Sequence, residues 1–423
     1  MRRTLDEEDV RSLARTTGYV AKRVFDAVAA GRAADRELGV HLRQLGKQHP
    51  RDARFIARYI FAAFRCRGWT GDLCNADVPR GLLASYLLDS GPYHVITTDW
   101  ARRYRDIKGD ALTPPPENAN LDAPAAWLRA FLREPKARLN PLALVPAWFF
   151  KLVAIPNREV EHSLLEAFQR PAPMWIRLRA DLPFDGLRFA AHKRVKLAAR
   201  VTEDIDLYRH AAFKAGAFEI QDLASQAVGV ACDPNPGERW WDACAGAGGK
   251  TLQLASVMNP KGVVVATDIK EHKLAETRRR AARAKLHNVT TKAWDGKKPP
   301  ARNFDGVLVD APCSGIGTWR RNPDARWRTS PDDIRELAVL QRSILDAVAG
   351  GVRPGGRLVY AVCTLSTAET VDVVDAFLAR HSEFALAPAP HPLTGEPIDG
   401  RAWIWPHTAN CDGMFIARFV RSK

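Results

Sequence analysis

Two cysteines, fifty residues apart, are the side chains of this 423-residue chain that are best placed to act as nucleophiles. Cys313 comes shortly after the apolar run at residues 304–310, and Cys363 comes directly after the run at residues 356–362. Such runs are typical of buried strands in a parallel sheet, and the carboxyl ends of these strands form the edge where open α/β folds bind ligands. We therefore expect both thiols to face one site at that edge.

A glycine-rich segment at residues 242–251 reads Asp-Ala-Cys-Ala-Gly-Ala-Gly-Gly-Lys-Thr and follows another apolar run. Between a strand and a helix, such glycines let backbone amides approach a ligand closely. The dinucleotide-binding pattern requires a glycine where Thr251 stands, and the P-loop pattern requires one where Cys244 stands. Both of these cofactor classes therefore fit the segment poorly.

Aspartates follow three successive strand-like runs after this segment. Asp268 ends the run that begins at Val263, Asp295 follows the next run, and Asp310 ends the run before Cys313. A carboxylate at the position of Asp268 can accept two hydrogen bonds from a ribose diol, which serves NAD and S-adenosylmethionine equally. Three aspartates in register favour a cofactor site over three unrelated helix or turn caps.

These motifs, in this order, resemble those of the RNA (cytosine-5)-methyltransferase family of the Sun/RsmB type over about residues 140–423. The glycine-rich segment is similar to the family pattern Asp-x-Cys-Ala-x-x-Gly-Gly-Lys-Thr, except that Ala247 stands where proline is usual. The resemblance implies S-adenosyl-L-methionine as the cofactor and no metal. The cofactor-binding residues that it implies are Cys244, Ala245, Gly246, Ala247, Gly248, Gly249, Lys250, Asp268, Asp295 and Asp310.

The resemblance also assigns roles to the two cysteines. Carbon C5 of cytosine is a poor nucleophile, so a thiolate must first add at C6, which is covalent catalysis. In the family the second cysteine attacks and the first assists product release, which implies Cys363 as nucleophile and Cys313 in release. Asp310 and Lys250 are implied to lie beside the target base. Near Cys363 the chain carries Val362 and Thr370 where threonine and asparagine are common, and we expect these departures to affect the rate.

The charge of the chain favours a polyanionic partner. Lys and Arg outnumber Asp and Glu by 63 to 48, which gives a net charge of +15. By resemblance, RNA contacts are expected from a pair of arginines after Cys313 and from a Met-Trp-Ile-Arg run, and a basic cluster adds two more. These residues are Arg320, Arg321, Trp175, Arg177, Lys193 and Arg194. Trp175 could instead belong to a strand core, and the basic cluster could be an ordinary solvated face.

The hydrophobic pattern divides the chain into regions. Residues 1–135 show apolar positions at helical spacing, such as Val20, Val24 and Val28, and are similar to a NusB-like RNA-binding domain. Residues 140–217 are similar to the small RNA-recognition subdomain of the family. Residues 218–423 alternate short apolar runs with helix-length segments, which predicts an α/β Rossmann-like methyltransferase sheet, mostly parallel with an antiparallel edge hairpin.

Other classes of protein fit the sequence less well. No run reaches the ~18 uninterrupted apolar residues of a membrane span, and the amino terminus lacks a signal-peptide core, so we expect a cytoplasmic protein without a membrane partner. Seven cysteines without metal-ligand spacing are expected to be reduced. We expect a monomer that acts on small-subunit ribosomal RNA, with transfer RNA as the second candidate. A non-catalytic RNA-binding or ribosome-assembly factor on the same scaffold is the alternative function.

Overall fold

The computed structural model describes residues 7–48, 50–89, 95–104, 113–115, 120–180, 182–258 and 261–422. The chain forms two compact units. The first comprises Met1–Lys151, Ile155–Pro171 and Trp319–Thr329. The second comprises Leu152–Ala154, Ala172–Thr318 and Ser330–Lys423.

Helices build the first unit, as the spacing of its apolar residues predicts. Val24 of the first helix and Ile56 and Ile60 of the third are fully buried in one hydrophobic cluster. Asp77 caps the fourth helix by accepting the Arg80 N–H at 3.1 Å. The helices up to residue 169 are α1 Glu7–Ala29, α2 Ala34–Gln48, α3 Pro50–Ala76, α4 Val78–Leu88, α5 Val95–Arg103, α6 Asp122–Leu132, α7 Phe149–Leu152 and α8 Arg158–Gln169.

A short segment from later in the chain, Trp319–Thr329, packs into the first unit and contains helix α13, Ala325–Arg328. The guanidinium of Arg326 is fully buried and donates to the carbonyls of Leu144 at 2.9 Å and Phe168 at 3.0 Å. Burial lowers the pKa of Arg326 to about 9. Because these carbonyls share one guanidinium, the segment is an integral part of the helical unit.

The second unit begins with a small antiparallel sheet in the order β2-β3-β1-β4. Ile176 and Phe218 are fully buried beneath it in a hydrophobic cluster of their own. Its strands are β1 Trp175–Leu178, β2 Phe189–Ala191, β3 Ala198–Val201 and β4 Phe218–Ile220, and helix α9 Ala211–Lys214 precedes the last of them.

A larger sheet forms the rest of the second unit. Its strands are β5 Arg239–Asp242, β6 Val263–Asp268, β7 Val289–Ala293, β8 Phe304–Asp310, β9 Val352–Val362, β10 Phe384–Leu386, β13 Arg401–Ile404 and β14 Met414–Arg421, while β11 Ala389–Pro390 and β12 Pro397–Ile398 pair separately. The accompanying helices are α10 Leu223–Cys232, α11 Gly249–Met258, α12 Glu271–Arg283, α14 Pro331–Ala349, α15 Val371–Arg380 and α16 Pro406–Ala409.

The order β10-β14-β9-β8-β5-β6-β7 makes this sheet Rossmann-like. Strands β5 to β9 are parallel, and the chain reverses direction across the sheet at β5, which is the switch point where such folds bind ligands. The α/β fold and the antiparallel pairing of β13 with β14 are therefore confirmed. The edge differs from the simple hairpin expected, because β14 lies between β9 and the two outer strands β10 and β13.

The two units divide the chain at points other than the three predicted domains. Helix α8 packs with the first unit, and strands β1 to β4 belong to the second, so the segment predicted as a separate subdomain is shared between them. The assignment of functions to residues 1–135, 140–217 and 218–423 stays a prediction. Among the residues that the structure describes, no helix combines the length and apolar character needed to cross a membrane.

Candidate active site

The structure brings the two candidate thiols together. Strands β8 and β9 are neighbours in parallel register, with Asp310 opposite Ala361. Cys313 and Cys363 each follow the carboxyl end of one of these strands, and their Sγ atoms lie 3.3 Å apart as free thiols. Both cysteines are half-buried. The arrangement can present two sulfur atoms to one bound molecule.

The environment of Cys313 favours the protonated thiol. Its hydrogen-bond contact with Cys363 raises the pKa of Cys313 well above the usual value for a cysteine, and burial raises it further. The nearby Glu369 carboxylate acts in the same direction. At neutral pH Cys313 is therefore mostly protonated and is a poor nucleophile, because the thiolate is the form that attacks.

An ion pair between a buried lysine and a half-buried aspartate lies at the same edge of the sheet. Lys250 Nζ is 2.6 Å from Asp310 Oδ2, and the lysine side chain is only 10% exposed. Burial is the largest single influence and lowers the pKa of Lys250, but the charge and hydrogen bond of Asp310, with the charges of Cys363 and Asp242, together raise it above its usual value. The site therefore holds a fixed positive charge within electrostatic range of Cys363.

The glycine-rich loop runs from the end of β5 to the start of α11. Gly246 and Gly248 have φ of +53° and +84°, which side chains with a Cβ rarely adopt. A Cβ on Gly248 would lie 2.7 Å from Thr277, so close packing against α12 requires glycine there. Cβ atoms placed on Gly246 or Gly249 would meet no atom within 4 Å, so the backbone beside them borders open space. This surface fits the close approach of a cofactor.

Carboxylates end the strands beside this loop. Asp268 Oδ2 accepts the Gly246 N–H at 2.9 Å, and its Oδ1 accepts the Lys270 N–H at 2.8 Å. Asp295 is exposed and accepts the Lys297 N–H at 3.0 Å. Lone pairs of both carboxylates remain for polar groups of a cofactor, because each carboxylate has about four acceptor sites.

Asp242 supports the glycine-rich loop from the interior of the protein. It is fully buried and accepts a hydrogen bond of 2.6 Å from the Thr251 hydroxyl. Burial raises the pKa of Asp242 to about 7, against the hydrogen bond from Thr251. The side chain therefore ties the first turn of α11 to the end of β5.

Two anchors of the loop were not apparent from the sequence. Arg280 of α12 donates to the Ala247 carbonyl at 2.8 Å, and it is itself bound by the buried Glu219 carboxylate at 2.8 Å. Thr277 donates to the Gly246 carbonyl at 3.0 Å. These contacts hold the loop where the usual proline is absent. The run of three arginines at 278–280 gives no signal as to which one turns inward.

The other two departures from the family pattern, Val362 and Thr370, are fully buried. Val362 pairs with Phe415 across β9 and β14 and is fully buried in the sheet. The hydroxyl of Thr370 donates to the Ser366 carbonyl at 2.7 Å. Both residues thus support the backbone around Cys363 without exposing a reactive group.

The residues predicted to contact RNA fall into two groups. Trp175 is buried and donates through Nε1 to the Asn410 carbonyl at 3.0 Å, and the buried Arg177 donates to Gln221 at 2.9 Å. Arg320 is buried too, and it donates to the Pro171 carbonyl at 3.0 Å. These three side chains have structural contacts in the protein, and a role in RNA binding stays a prediction for each.

The second group is accessible. Lys193 and Arg194 are exposed in the turn between β2 and β3, and Arg321 is half-exposed. The positions of Lys193 and Arg194 suit a phosphate contact, which also stays a prediction.

Comparisons with known proteins give the family. The family model described as 16S rRNA methyltransferase RsmB/F matches residues 229–420. The ribosomal RNA small subunit methyltransferase B of Serratia proteamaculans is 31% identical over 314 residues, covering 70% of this chain and 72% of that protein. The protein of the same name from Pectobacterium atrosepticum is 32% identical over 317 residues, with the same coverage.

Solved structures share the fold. The structure of PH0851 matches with a TM-score of 0.73 at 23% identity, covering 96% of this chain and 99% of that one. A methyltransferase homolog protein from Pyrococcus horikoshii matches with a TM-score of 0.52 at 28% identity, covering 64% of this chain and 93% of that one. The relatives confirm the family that the cysteine and glycine motifs predict, with S-adenosyl-L-methionine as its cofactor, and the solved structures share its fold. The chain belongs to the RsmB/F family of methyltransferases that use S-adenosyl-L-methionine.

Proposed function

We propose that this protein transfers a methyl group from S-adenosyl-L-methionine to C5 of a cytosine in small-subunit ribosomal RNA through a covalent bond between Cys363 and C6. The observation that carries the proposal is the pair of thiols 3.3 Å apart at the carboxyl ends of β8 and β9. A methyltransferase acting on an exocyclic nitrogen or a hydroxyl has no need of two cysteines. Methylation at C5 of cytosine uses a thiolate to activate the ring, and a second thiol beside it can assist when the ring is restored.

The proposed reaction begins and ends at the sulfur of Cys363. The Cys363 thiolate forms a bond to C6, and the electron pair of the C5–C6 double bond becomes available at C5. The cofactor supplies an electrophilic methyl group on a sulfonium sulfur. After C5 has gained the methyl group, a base removes the C5 proton, the double bond re-forms, and the Cys363–C6 bond breaks to return the thiolate.

Neighbouring residues suit these proton and charge movements. The raised pKa of Cys313 keeps its thiol protonated, so Cys313 does not compete with Cys363 for attack on C6. The part of Cys313 in release is proposed from the family resemblance. The Lys250 ammonium supplies positive charge toward Cys363, and its partner Asp310 presents a carboxylate at the end of β8. The ion pair can orient the base by hydrogen bonds without changing its own net charge.

Small-subunit ribosomal RNA is proposed as the substrate because the relatives with the best coverage act on it according to their names. The net charge of +15 supports a polyanionic substrate of some kind. The relatives therefore favour ribosomal RNA over the transfer RNA that is the second candidate.

Bisulfite sequencing of total RNA from a deletion strain tests the proposal. We expect one or more cytosines of small-subunit ribosomal RNA to be protected from conversion in the parent strain and converted in the deletion strain. Complementation with the wild-type gene should restore protection, and complementation with Cys363→Ala should not. Loss of protection in transfer RNA and not in ribosomal RNA would assign transfer RNA as the substrate. Unchanged protection in all RNA would favour the non-catalytic assembly factor.

A further inference from the structure

The carboxylate of Glu369 is fully buried beside the two thiols. Glu369 ends the short 3-10 turn Thr367–Glu369, which follows Cys363 in the chain. Burying a carboxylate is costly unless hydrogen bonds replace its water. The donors that replace water here come from several separate parts of the chain.

Each oxygen of Glu369 receives more than one donor. Oε1 accepts the backbone N–H of Ser314 at 2.8 Å and the amide of Gln341 at 3.1 Å. Oε2 is contacted by the hydroxyls of Ser314 at 2.5 Å, Ser366 at 2.8 Å and Thr364 at 3.1 Å. A carboxylate has about four acceptor sites, which can take the two N–H groups and two of the three hydroxyls, whereas an amide of the same shape can accept only through its one oxygen.

Two of these donors directly follow the two cysteines. Ser314 follows Cys313, and Thr364 follows Cys363. The hydroxyls of Ser314 and Thr364 are also 2.7 Å apart. Since each hydroxyl has one proton, the short contacts form a chain in which Thr364 donates to Ser314 and Ser314 donates to Glu369. The last group in this series of hydrogen bonds must accept without donating, as the Glu369 carboxylate does.

Further hydrogen bonds connect the segments around Cys313 and Cys363. Gln341 of α14 donates both to Glu369 and, at 2.9 Å, to the Pro312 carbonyl on the other side of Cys313. The Gly317 N–H donates to the Cys363 carbonyl at 3.0 Å. The backbone on both sides of Cys313 is therefore fixed relative to Cys363.

We propose that Glu369 is a positioning residue that sets the separation of the Cys313 and Cys363 thiols by holding the residue after each of them. Its consequence for turnover rests on the proposed function, because both thiols must then reach the same base. Misplacing a reacting group by about 1 Å can cost on the order of 10²-fold in rate.

The proximity of the thiols can be measured without RNA or cofactor. Diamide oxidises two neighbouring thiols to a disulfide and is itself reduced to the hydrazine, taking up both protons. The sulfur atoms need to move from 3.3 Å apart to about 2.0 Å, so the wild-type protein should form the Cys313–Cys363 bond readily. Mass spectrometry of the linked peptides identifies the pair.

The variants are Glu369→Gln, which keeps the shape, and Glu369→Asp, which keeps the charge. We expect Glu369→Gln to slow disulfide formation by roughly ten-fold or more and to lower kcat by on the order of ten- to a hundred-fold, with KM for RNA nearly unchanged. Glu369→Asp should restore part of both rates. A merely structural role would lower the melting temperature without changing the cross-linking rate of the folded protein.

The matched control is Glu238→Gln. Glu238 is a carboxylate with several hydrogen bonds at the amino end of β5, where it accepts from Trp240 Nε1 at 2.8 Å and pairs with Arg357. This variant should lose stability and keep both rates. If Glu369→Gln does not fold, the double variant Ser314→Ala with Thr364→Val removes the two hydroxyls that contact Glu369 from the residues after the cysteines, and it should slow both rates in the same way.

The outcomes separate the two proposals. Wild-type rates of cross-linking and of turnover in a folded Glu369→Gln protein would overturn the positioning role. Slower cross-linking in Glu369→Gln, together with a wild-type protein that methylates no RNA, would support the positioning role and remove the proposed function.

Discussion

At the scale of single residues, the two thiols occupy different electrostatic environments although their sulfur atoms are 3.3 Å apart. The contact with Cys363 and burial both raise the pKa of Cys313, whereas Cys363 lies within range of the Lys250 ammonium. This asymmetry suits one protonated thiol and one nucleophile. It agrees with the roles that the family resemblance implies.

Alanine variants of the two cysteines should therefore fail at different steps. We expect Cys363→Ala to abolish methyl transfer and to form no adduct, because no bond to C6 can be made. Cys313→Ala should attack and methylate but then accumulate a protein–RNA adduct. A denaturing gel with labelled RNA and S-adenosyl-L-methionine shows the adduct as a retarded band. The reverse pattern would assign the nucleophile to Cys313.

Asp268 carries the clearest prediction for cofactor binding. We predict that its carboxylate accepts hydrogen bonds from the ribose of the cofactor, and it also accepts the Gly246 N–H at 2.9 Å. Each hydrogen bond to a charged group contributes ~1.5–3 kcal/mol, so Asp268→Ala should weaken binding of S-adenosyl-L-methionine by roughly ten-fold or more. Calorimetric titration measures the change. An unchanged dissociation constant, or tighter binding of NADH by the wild type, would exclude this assignment.

At the scale of elements, the sequence was sufficient to predict the strands that end at the site. Strands β5, β6, β8 and β9 each contain a short apolar run that is largely buried, and such runs are recognisable without knowledge of their partners. The order of cysteines and aspartates along the chain then placed them at one edge. The insertion of β14 beside β9 depends on pairing with a distant strand, and nothing local encodes it.

Contacts that fix the site were missed for the same reason. The Ala247 carbonyl is bound by Arg280, thirty-three residues later, and Arg280 is bound by Glu219 from the small sheet. Likewise Arg320 was predicted to contact RNA, yet its side chain is buried and donates to the Pro171 carbonyl at 3.0 Å. Whether an arginine faces solvent or carbonyls is decided by segments far away in the chain.

Arg280 gives a test of the loop anchor. Arg280→Ala removes the bond to Ala247 and frees the loop that carries Gly246 and Gly248. We expect affinity for S-adenosyl-L-methionine to fall by roughly three- to ten-fold, which is less than for loss of a direct charge-assisted hydrogen bond because Arg280 acts only through the loop. Arg279→Ala is the control on the same helix, because Arg279 is exposed and pairs only at the surface with Glu276. Equal effects of both substitutions would indicate a general charge effect and not a loop anchor.

At the scale of the whole molecule, the net charge of +15 is spread over many basic side chains, and several of them are occupied inside the protein. Arg177, Arg320 and Arg326 are buried and donate to groups of the protein itself, so a phosphate contact by one of them would have to compete with these bonds. Accessible cations can contact phosphate without losing such bonds. Lys193 and Arg194 in the second unit are two such cations.

Salt dependence distinguishes direct contacts from the overall field. If about six phosphates are neutralised, the logarithm of RNA affinity should fall with the logarithm of salt concentration with a slope of about −4 to −5. The double variant Lys193→Gln with Arg194→Gln should flatten this slope by about 1.4, since each lost contact with single-stranded RNA removes about 0.7. Fluorescence anisotropy over a salt series measures the slope.

The control is Arg279→Gln, which removes an exposed charge paired with Glu276 and should leave the slope nearly unchanged. An equal decrease for both variants would mean that the basic cluster acts only through net charge, and a flat wild-type dependence would mean that phosphate contacts contribute little to binding.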